Sequence, residues 1–300
     1  MAIAADGAQL GVTERARGEK IADRDAVAVA SRKAGAAAAD RALQAMVRFW
    51  FIVTFVGQLV FVVHIVSFYG RTALRGDFAA WNKHLAVGYV PGDALGNSSL
   101  GVHLMMAAVL TFCGLLQLIP QIRERAPVLH RWTGRIYIPS AVLGSLTALY
   151  LVLVRGGTVG DVAQHSGVVL NGLLIIVFAA LALRYARARD FRSHRRWALR
   201  LFLVVSGVWF FRVGLFFWIL INRGPVGFNP DTFAGPALTI LSFAQFLLPL
   251  AVLETYLHTR ERGGAVAKYV LAAALGVLTL AVGVGIFGHT MLLVRSGTAI

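Results

Sequence analysis

The chain has 300 residues, 58% of them hydrophobic and 14% charged, with a mean hydropathy of +0.71 and a net charge of +15. That composition excludes a water-soluble globule. The single cysteine, Cys113, excludes disulfides and thiolate metal clusters within one chain, and the even alternation of a membrane barrel is absent.

In chain order, Met1–Ala45 is Ala-rich, mixed in charge and almost without aromatics. It is too long and too charged to be a standard signal peptide and reads as a disordered cytoplasmic tail, residues 1–45. Residues 46–295 then read as a membrane domain with seven apolar runs: Val47–Tyr69, Ser99–Pro120, Arg135–Val154, Val162–Leu183, Leu199–Ile221, Ala237–Leu257 and Ala267–Leu293. Each is close to the length, about 20 residues, that a helix needs to cross the hydrocarbon layer. No water is available there to satisfy free backbone groups, so the runs should be helices. The expected fold is all-α and polytopic, with a four-helix core from the second to the fifth span. Between the spans, turn residues concentrate at Pro91-Gly92-Asp93, Gly96-Asn97, Gly224-Pro225 and Asn229-Pro230-Asp231. The Gly70–Ser98 connection is long enough to form a lid.

Charge sets the expected orientation. Of the 29 Lys and Arg residues, 22 fall up to Arg48 and in Arg123–Arg135, Arg184–Arg200 and Arg260–Lys268; six lie in the other connections, and Arg212 lies inside the fifth run. The positive-inside rule then predicts a bacterial inner-membrane protein with its N-terminus cytoplasmic and its C-terminus outside. The basic residues hug helix ends and have no soluble domain to organise them, so nucleic acid is not an expected partner.

One motif occurs twice, as His130-Arg131-Trp132 and His194-Arg195-Arg196-Trp197. His103 precedes the first copy by 27 residues and His165 the second by 29, about one crossing plus a turn. Both copies run in the same direction, which suggests a parallel helix-hairpin repeat over 99–221. The symmetry would set His103 opposite His165 near one face and His130 opposite His194 near the other. Neutral imidazoles so placed are the axial ligands that a b-type haem requires. The bland reading of the outer pair is two interfacial histidines. For the inner pair, the arginine field would hold haem propionates, phosphate or quinone-like anions; the alternative is an Arg/Trp anchor on anionic lipid headgroups.

Arg212 lies about 20 Å up the fifth span at 1.5 Å per residue, with no acid at its level and Glu254 much nearer the inner end. Charges so deep usually face a cavity or a partner. Arg212 therefore reads as facing an anionic ligand, a haem propionate or a substrate carboxylate, or else as bonded to carbonyls or snorkelling. His64 and His289 would supply a proton path, a replacement ligand or a quinol contact, or serve only structure. Gln58, Gln117, Asn171 and Gln245 read as interhelical hydrogen-bonders, and Gly276, Gly283, Gly285 and Gly288 as close-packing positions. The GxGxxG at Gly283–Gly288 lies inside an apolar run and follows no strand, so it is no nucleotide loop.

At His103, Leu129-His130-Arg131-Trp132-Thr133-Gly134-Arg135-Ile136-Tyr137, His194-Arg195-Arg196-Trp197-Ala198-Leu199-Arg200 and Arg212, the chain resembles a bacterial multi-pass membrane family of unknown function, domain-of-unknown-function family 2306, over about residues 100–215. That resemblance implies a membrane location and no particular activity. In architecture alone the chain is similar to the diheme cytochrome b family, in which successive helices each supply one histidine. It departs from that family in placing the inner histidines ahead of their helices. Two expectations follow. One is a b-type haem protein that passes electrons to or from a quinone or small redox donor, with His103 and His165 on the outer iron, His130 and His194 on an inner one, and Arg212 on a propionate. The other is a non-catalytic membrane component or carrier whose arginines bind lipid or a small anion.

Overall fold

The computed structural model describes residues 3–85, 87–156 and 160–295, with side chains from residue 29 onward. In chain order the elements are α1 (Ile3–His64), a π-helical turn (Ile65–Gly70), α2 (Arg71–Leu74), a 3-10 helix (Phe78–Lys83), α3 (Ala94–Leu118), α4 (Pro120–Arg125), α5 (Pro127–Leu153), α6 (Val162–Arg187), α7 (Phe191–Val205), α8 (Gly207–Asn222), α9 (Pro236–Arg262) and α10 (Ala265–Arg295). There is no strand among the described residues, only an isolated bridge between Asn229 and Ala234. Six helices are long and apolar enough to cross a bilayer, and the bent pair α7–α8 makes a seventh if it is one span. The protein is an all-α polytopic membrane protein.

Several boundaries differ from the sequence expectation. From Ile3 the chain is helical where a disordered tail over 1–45 was expected. Alanine has the highest helix propensity of any residue, and a shortage of aromatics says nothing against an exposed helix. α5 and α7 begin eight residues before the expected runs, so His130 and His194 sit in first helical turns and not ahead of them. Local chemistry explains these starts. Pro127 takes the first position of α5, where a missing N–H costs nothing. The Asp190 carboxylate accepts from the Ser193 amide at 3.0 Å and caps α7. Asp77, Asp93 and Asp161 cap the 3-10 helix, α3 and α6 in the same way.

By internal contacts the chain forms two units. One is α1 up to Phe49 with Tyr256–Gly276; the other is Trp50–Thr255 with the rest of α10. In the first unit Lys268 pairs with Asp40 at 2.7 Å, and Ala39, Leu43, Leu271 and Leu275 are buried. In the second unit α3 packs on α5 and α6 on α7, and α5 joins the two pairs through α6. Both pairs are antiparallel: His103 meets Gly144 while Gln117 meets His130 and Thr133, and Asn171 meets Val204 while Ala182 meets His194. Small residues set the spacing. Gly114 faces Phe202 and Tyr137, and Ser145 donates to the Gly172 carbonyl at 2.7 Å.

The fifth apolar run, expected as one span, is two helices bent by 50°. The break at Ser206 frees backbone groups in the apolar layer, and such breaks survive only where other groups re-satisfy them. Asn171 Nδ2 donates to the Val204 carbonyl at 3.1 Å, and Gln58 Nε2 donates to Ser206 Oγ at 3.0 Å. Two of the expected interhelical hydrogen-bonders thus hold the bend.

Candidate functional site

Five polar side chains from three helices and a loop converge in the second unit. They are His64 at the end of α1, Tyr69 in the π-helical turn, His84 after the 3-10 helix, Arg212 in α8 and His289 in α10. The His64 ring lies 5.5 Å from that of His84, 6.2 Å from that of His289 and 5.8 Å from that of Tyr69, edge-on in each case. Arg212 Cζ sits 5.4 Å from the Phe61 ring centroid and acts electrostatically on His64, Tyr69, His84 and His289. The walls are aromatic: Phe68 packs 4.5 Å from His84, and Phe216 5.2 Å from His289.

The π-helical turn is what puts Tyr69 there. In an α-helix residues i and i+4 share a face, and Phe68 stacks on His64 accordingly, at 5.9 Å and 8°. The wider turn of Ile65–Gly70 brings i+5 round to the same side, so Tyr69 also reaches the His64 ring. On the facing side, a Cβ at Gly285 would collide with the Val213 carbonyl and side chain. Glycine there lets α10 approach α8 beside Arg212 and delivers His289 one turn further on.

From the connection between Gly70 and α3, His84 and Trp81 pack against His64 and Tyr69 as a cover on the cluster. Trp81, 4% exposed, donates from Nε1 to Thr72 Oγ1 at 2.9 Å and packs edge-on against Tyr69. Arg155 latches the cover, donating from Nε to Asp93 at 2.8 Å and from Nη2 to the Gly88 carbonyl and Asn97 Oδ1 at 3.0 Å each. Asn82 and Asn97 close two small loops, each bonding the backbone of Tyr89 and Val90 respectively.

The electrostatics are unbalanced. Among the described residues no carboxylate pairs with Arg212. Glu254, the more deeply placed of the two acids on α9, is taken by Arg200 through a two-pronged pair at 2.7 and 2.9 Å. The Tyr69 hydroxyl lies beside the guanidinium. Arg212 is deeply placed, yet part of its surface remains accessible. Buried and without a hydrogen-bond partner are Nδ1 of His64, itself 4% exposed, the Tyr69 hydroxyl and Nε2 of His84. Burial, then Arg212, then Lys83 hold the His84 imidazole below its ordinary pKa.

Of the residues singled out in the sequence, this cluster takes Arg212, His64 and His289. His84 and Tyr69 were missed: His84 lies in a connection with no periodicity to read, and an i+5 neighbour on an α-helix would face elsewhere. The four motif histidines lie apart from it. His103 Nδ1 is 3.0 Å from the Gly144 carbonyl and 3.4 Å from Thr147 Oγ1, so its ring turns onto α5. His165 lies in the first turn of α6. His194 Nδ1 is 2.9 Å from the Ala182 carbonyl, and His194 is near enough to act electrostatically on His130, whose Nδ1 is buried without a partner. Each motif copy also stacks an arginine on its tryptophan three residues earlier, Arg135 on Trp132 at 5.2 Å and Arg200 on Trp197 at 4.6 Å. Among the described residues no group of three or more His, Cys, Asp or Glu is placed to hold a metal ion.

A family model described as Predicted membrane protein (DUF2306) matches residues 100–248. The matched span holds Arg212, the helix break and all four motif histidines, and leaves His64, Tyr69, His84 and His289 outside it. No curated protein and no solved structure matches the chain, so no match supports the expected similarity to the diheme cytochromes. With the match over 100–248 and six or seven helices of spanning length, the chain belongs to this multi-pass membrane family.

Proposed function

We propose that the protein is a non-catalytic membrane component that binds a small organic anion at the cluster of His64, Tyr69, His84, Arg212 and His289. The observation that carries this reading is Arg212: a guanidinium deep among aromatic rings with no carboxylate beside it among the described residues. An uncompensated charge in such a place is costly, and one in a membrane span marks a ligand pathway more often than a structural role. A ligand anion would supply the missing counter-charge. The bend at Ser206 supports the reading, since broken helices in membrane proteins border binding sites. The lysine and arginine asymmetry supports a bacterial inner-membrane orientation with the N-terminus cytoplasmic. The cluster would then open toward the outer face, and the Arg/Trp stacks would rest on anionic headgroups at the inner one.

Calorimetric titration of the purified protein in detergent with sodium benzoate tests the reading. Saturable binding is expected, weakened about 10- to 150-fold in Arg212→Gln, the loss of a charge-assisted hydrogen bond worth about 1.5–3 kcal/mol. Arg212→Lys should recover part of it. Undiminished binding in a folded Arg212→Gln protein would sink the proposal.

A second reading, b-type haem on the motif histidines with a quinone or small redox donor as partner, draws on one observation. His103 and His194 each engage a backbone carbonyl through Nδ1, the arrangement that orients a histidine for ligation through Nε2. A dithionite-reduced spectrum with a sharp α-band that disappears in His103→Ala and His194→Ala is the expected result; no extractable haem rules it out.

A further inference from the structure

Resting on the anion reading, we infer that the cluster takes up its anion together with a proton, so that its ligand is a weak monocarboxylic acid and the imidazoles of His64, His84 and His289 share the accompanying proton. The inference starts from charge. Empty, the interior of the site carries the single positive charge of Arg212, with Lys83 exposed on the cover beside His84. The groups that face the imidazoles are Tyr69 from the π-helical turn, Arg212 from α8 and Lys83 from the cover, and none of them is acidic. A monocarboxylate brings the site to neutrality. A proton placed on one imidazole returns it to the single positive charge that the fold already tolerates when empty. The balance is complete without any other reactant: the acid arrives as carboxylate and proton, the carboxylate lies against the guanidinium, and the proton lies on a ring nitrogen.

Geometry provides for both parts. One guanidinium matches one carboxylate, and the aromatic walls of Phe61, Phe68 and Phe216 suit an apolar body better than a dianion such as sulfate. The His64 ring lies 5.5 and 6.2 Å from the other two, and its Nδ1 is buried without a hydrogen-bond partner. An anion within this cage favours protonated imidazole, and by linkage a protonated imidazole favours the anion to the same degree. Three coupled rings titrate as a group, so the proton belongs to the set and not to one residue.

The test is benzoate titration near about pH 6, within the range where histidine changes charge, in two buffers of different ionisation enthalpy. The dependence of the observed heat on buffer counts the protons taken up. Uptake of up to one proton is expected, with affinity rising by as much as about tenfold for each pH unit of acidification. Uptake should fall in His64→Gln and, as a second variant in case the first does not fold, in His289→Gln, with melting curves confirming the fold. Saturable binding with no buffer dependence overturns the inference and leaves the anion reading standing. No saturable heat in the wild-type protein overturns both.

Discussion

Arg155→Met should release the cover over the cluster while leaving the helices folded. The Arg155 side chain is 7% exposed and makes one ion pair and two further hydrogen bonds across the 71–98 connection. Methionine keeps the apolar stem and removes every donor. A hydrogen bond to a charged group contributes about 1.5–3 kcal/mol, and an acceptor left buried adds its own penalty. Asp93 is 31% exposed and regains water on losing its partner, so its share lies at the low end. The combined loss is about 3 kcal/mol, or about 150-fold in the opening equilibrium of the cover. Hydrogen exchange reads this directly, because the amides of Tyr89, Val90 and Gly96 donate to side chains of Asn82, Asn97 and Asp93 within the cover. Their exchange should accelerate by up to about 150-fold, with α5 and α6 interiors unchanged. If those amides exchange as in the wild type, the latch argument is wrong; if all helices accelerate together, Arg155 supports the whole fold and not the cover.

Three smaller effects follow from the same contacts. Gly285→Ala must push α10 from the Val213 carbonyl; a loss of about 1–3 kcal/mol is expected, read as a lower melting temperature with weaker benzoate binding, and an unchanged melt would show that α10 has room to spare. Because His84 is held below its ordinary pKa, the folded protein favours the neutral ring and the unfolded chain binds more protons below about pH 6.5, so stability should fall on acidification through that range; the melting temperature of His84→Gln should fall less between neutral and mildly acidic pH, and parallel curves would refute the assignment. Arg200→Gln breaks a pair whose acid, Glu254, is 51% exposed, and should cost no more than about 1 kcal/mol, a melting shift near the limit of detection; a large shift would mean that the pair is effectively buried.

The parts of this protein legible in its sequence are those that a single segment decides. Each apolar run declared a helix, because the hydrocarbon layer sets its length and forbids other backbone states. The helix caps are local as well, although the apolar runs alone did not reveal them: Asp77, Asp93, Asp161 and Asp190 each accept from an amide three residues on. Arg212 could be singled out as a charge at forbidden depth without any knowledge of its neighbours. The doubled His-Arg-Trp motif sits at the turns of two antiparallel hairpins, yet of its two histidines only His194 turns onto a backbone carbonyl of its own hairpin, as does His103 upstream of the first copy, while His130 Nδ1 is buried without a partner.

The chain by itself therefore determined that this is a multi-pass helical membrane protein, where its apolar runs lie and that one arginine sits deep in a run with no acid at its level. Only the tertiary structure decided which groups surround that arginine. His64, Tyr69, His84, Arg212 and His289 are separated by up to 225 residues, and their meeting depends on a π-helical turn that rotates Tyr69, a glycine that lets α10 close on α8, and a latched cover that lowers His84. None of these has a periodicity that one segment displays. Hydrophobic length is a property of a helix and its solvent, whereas the register between helices is settled by side-chain packing that exists only once the helices have met.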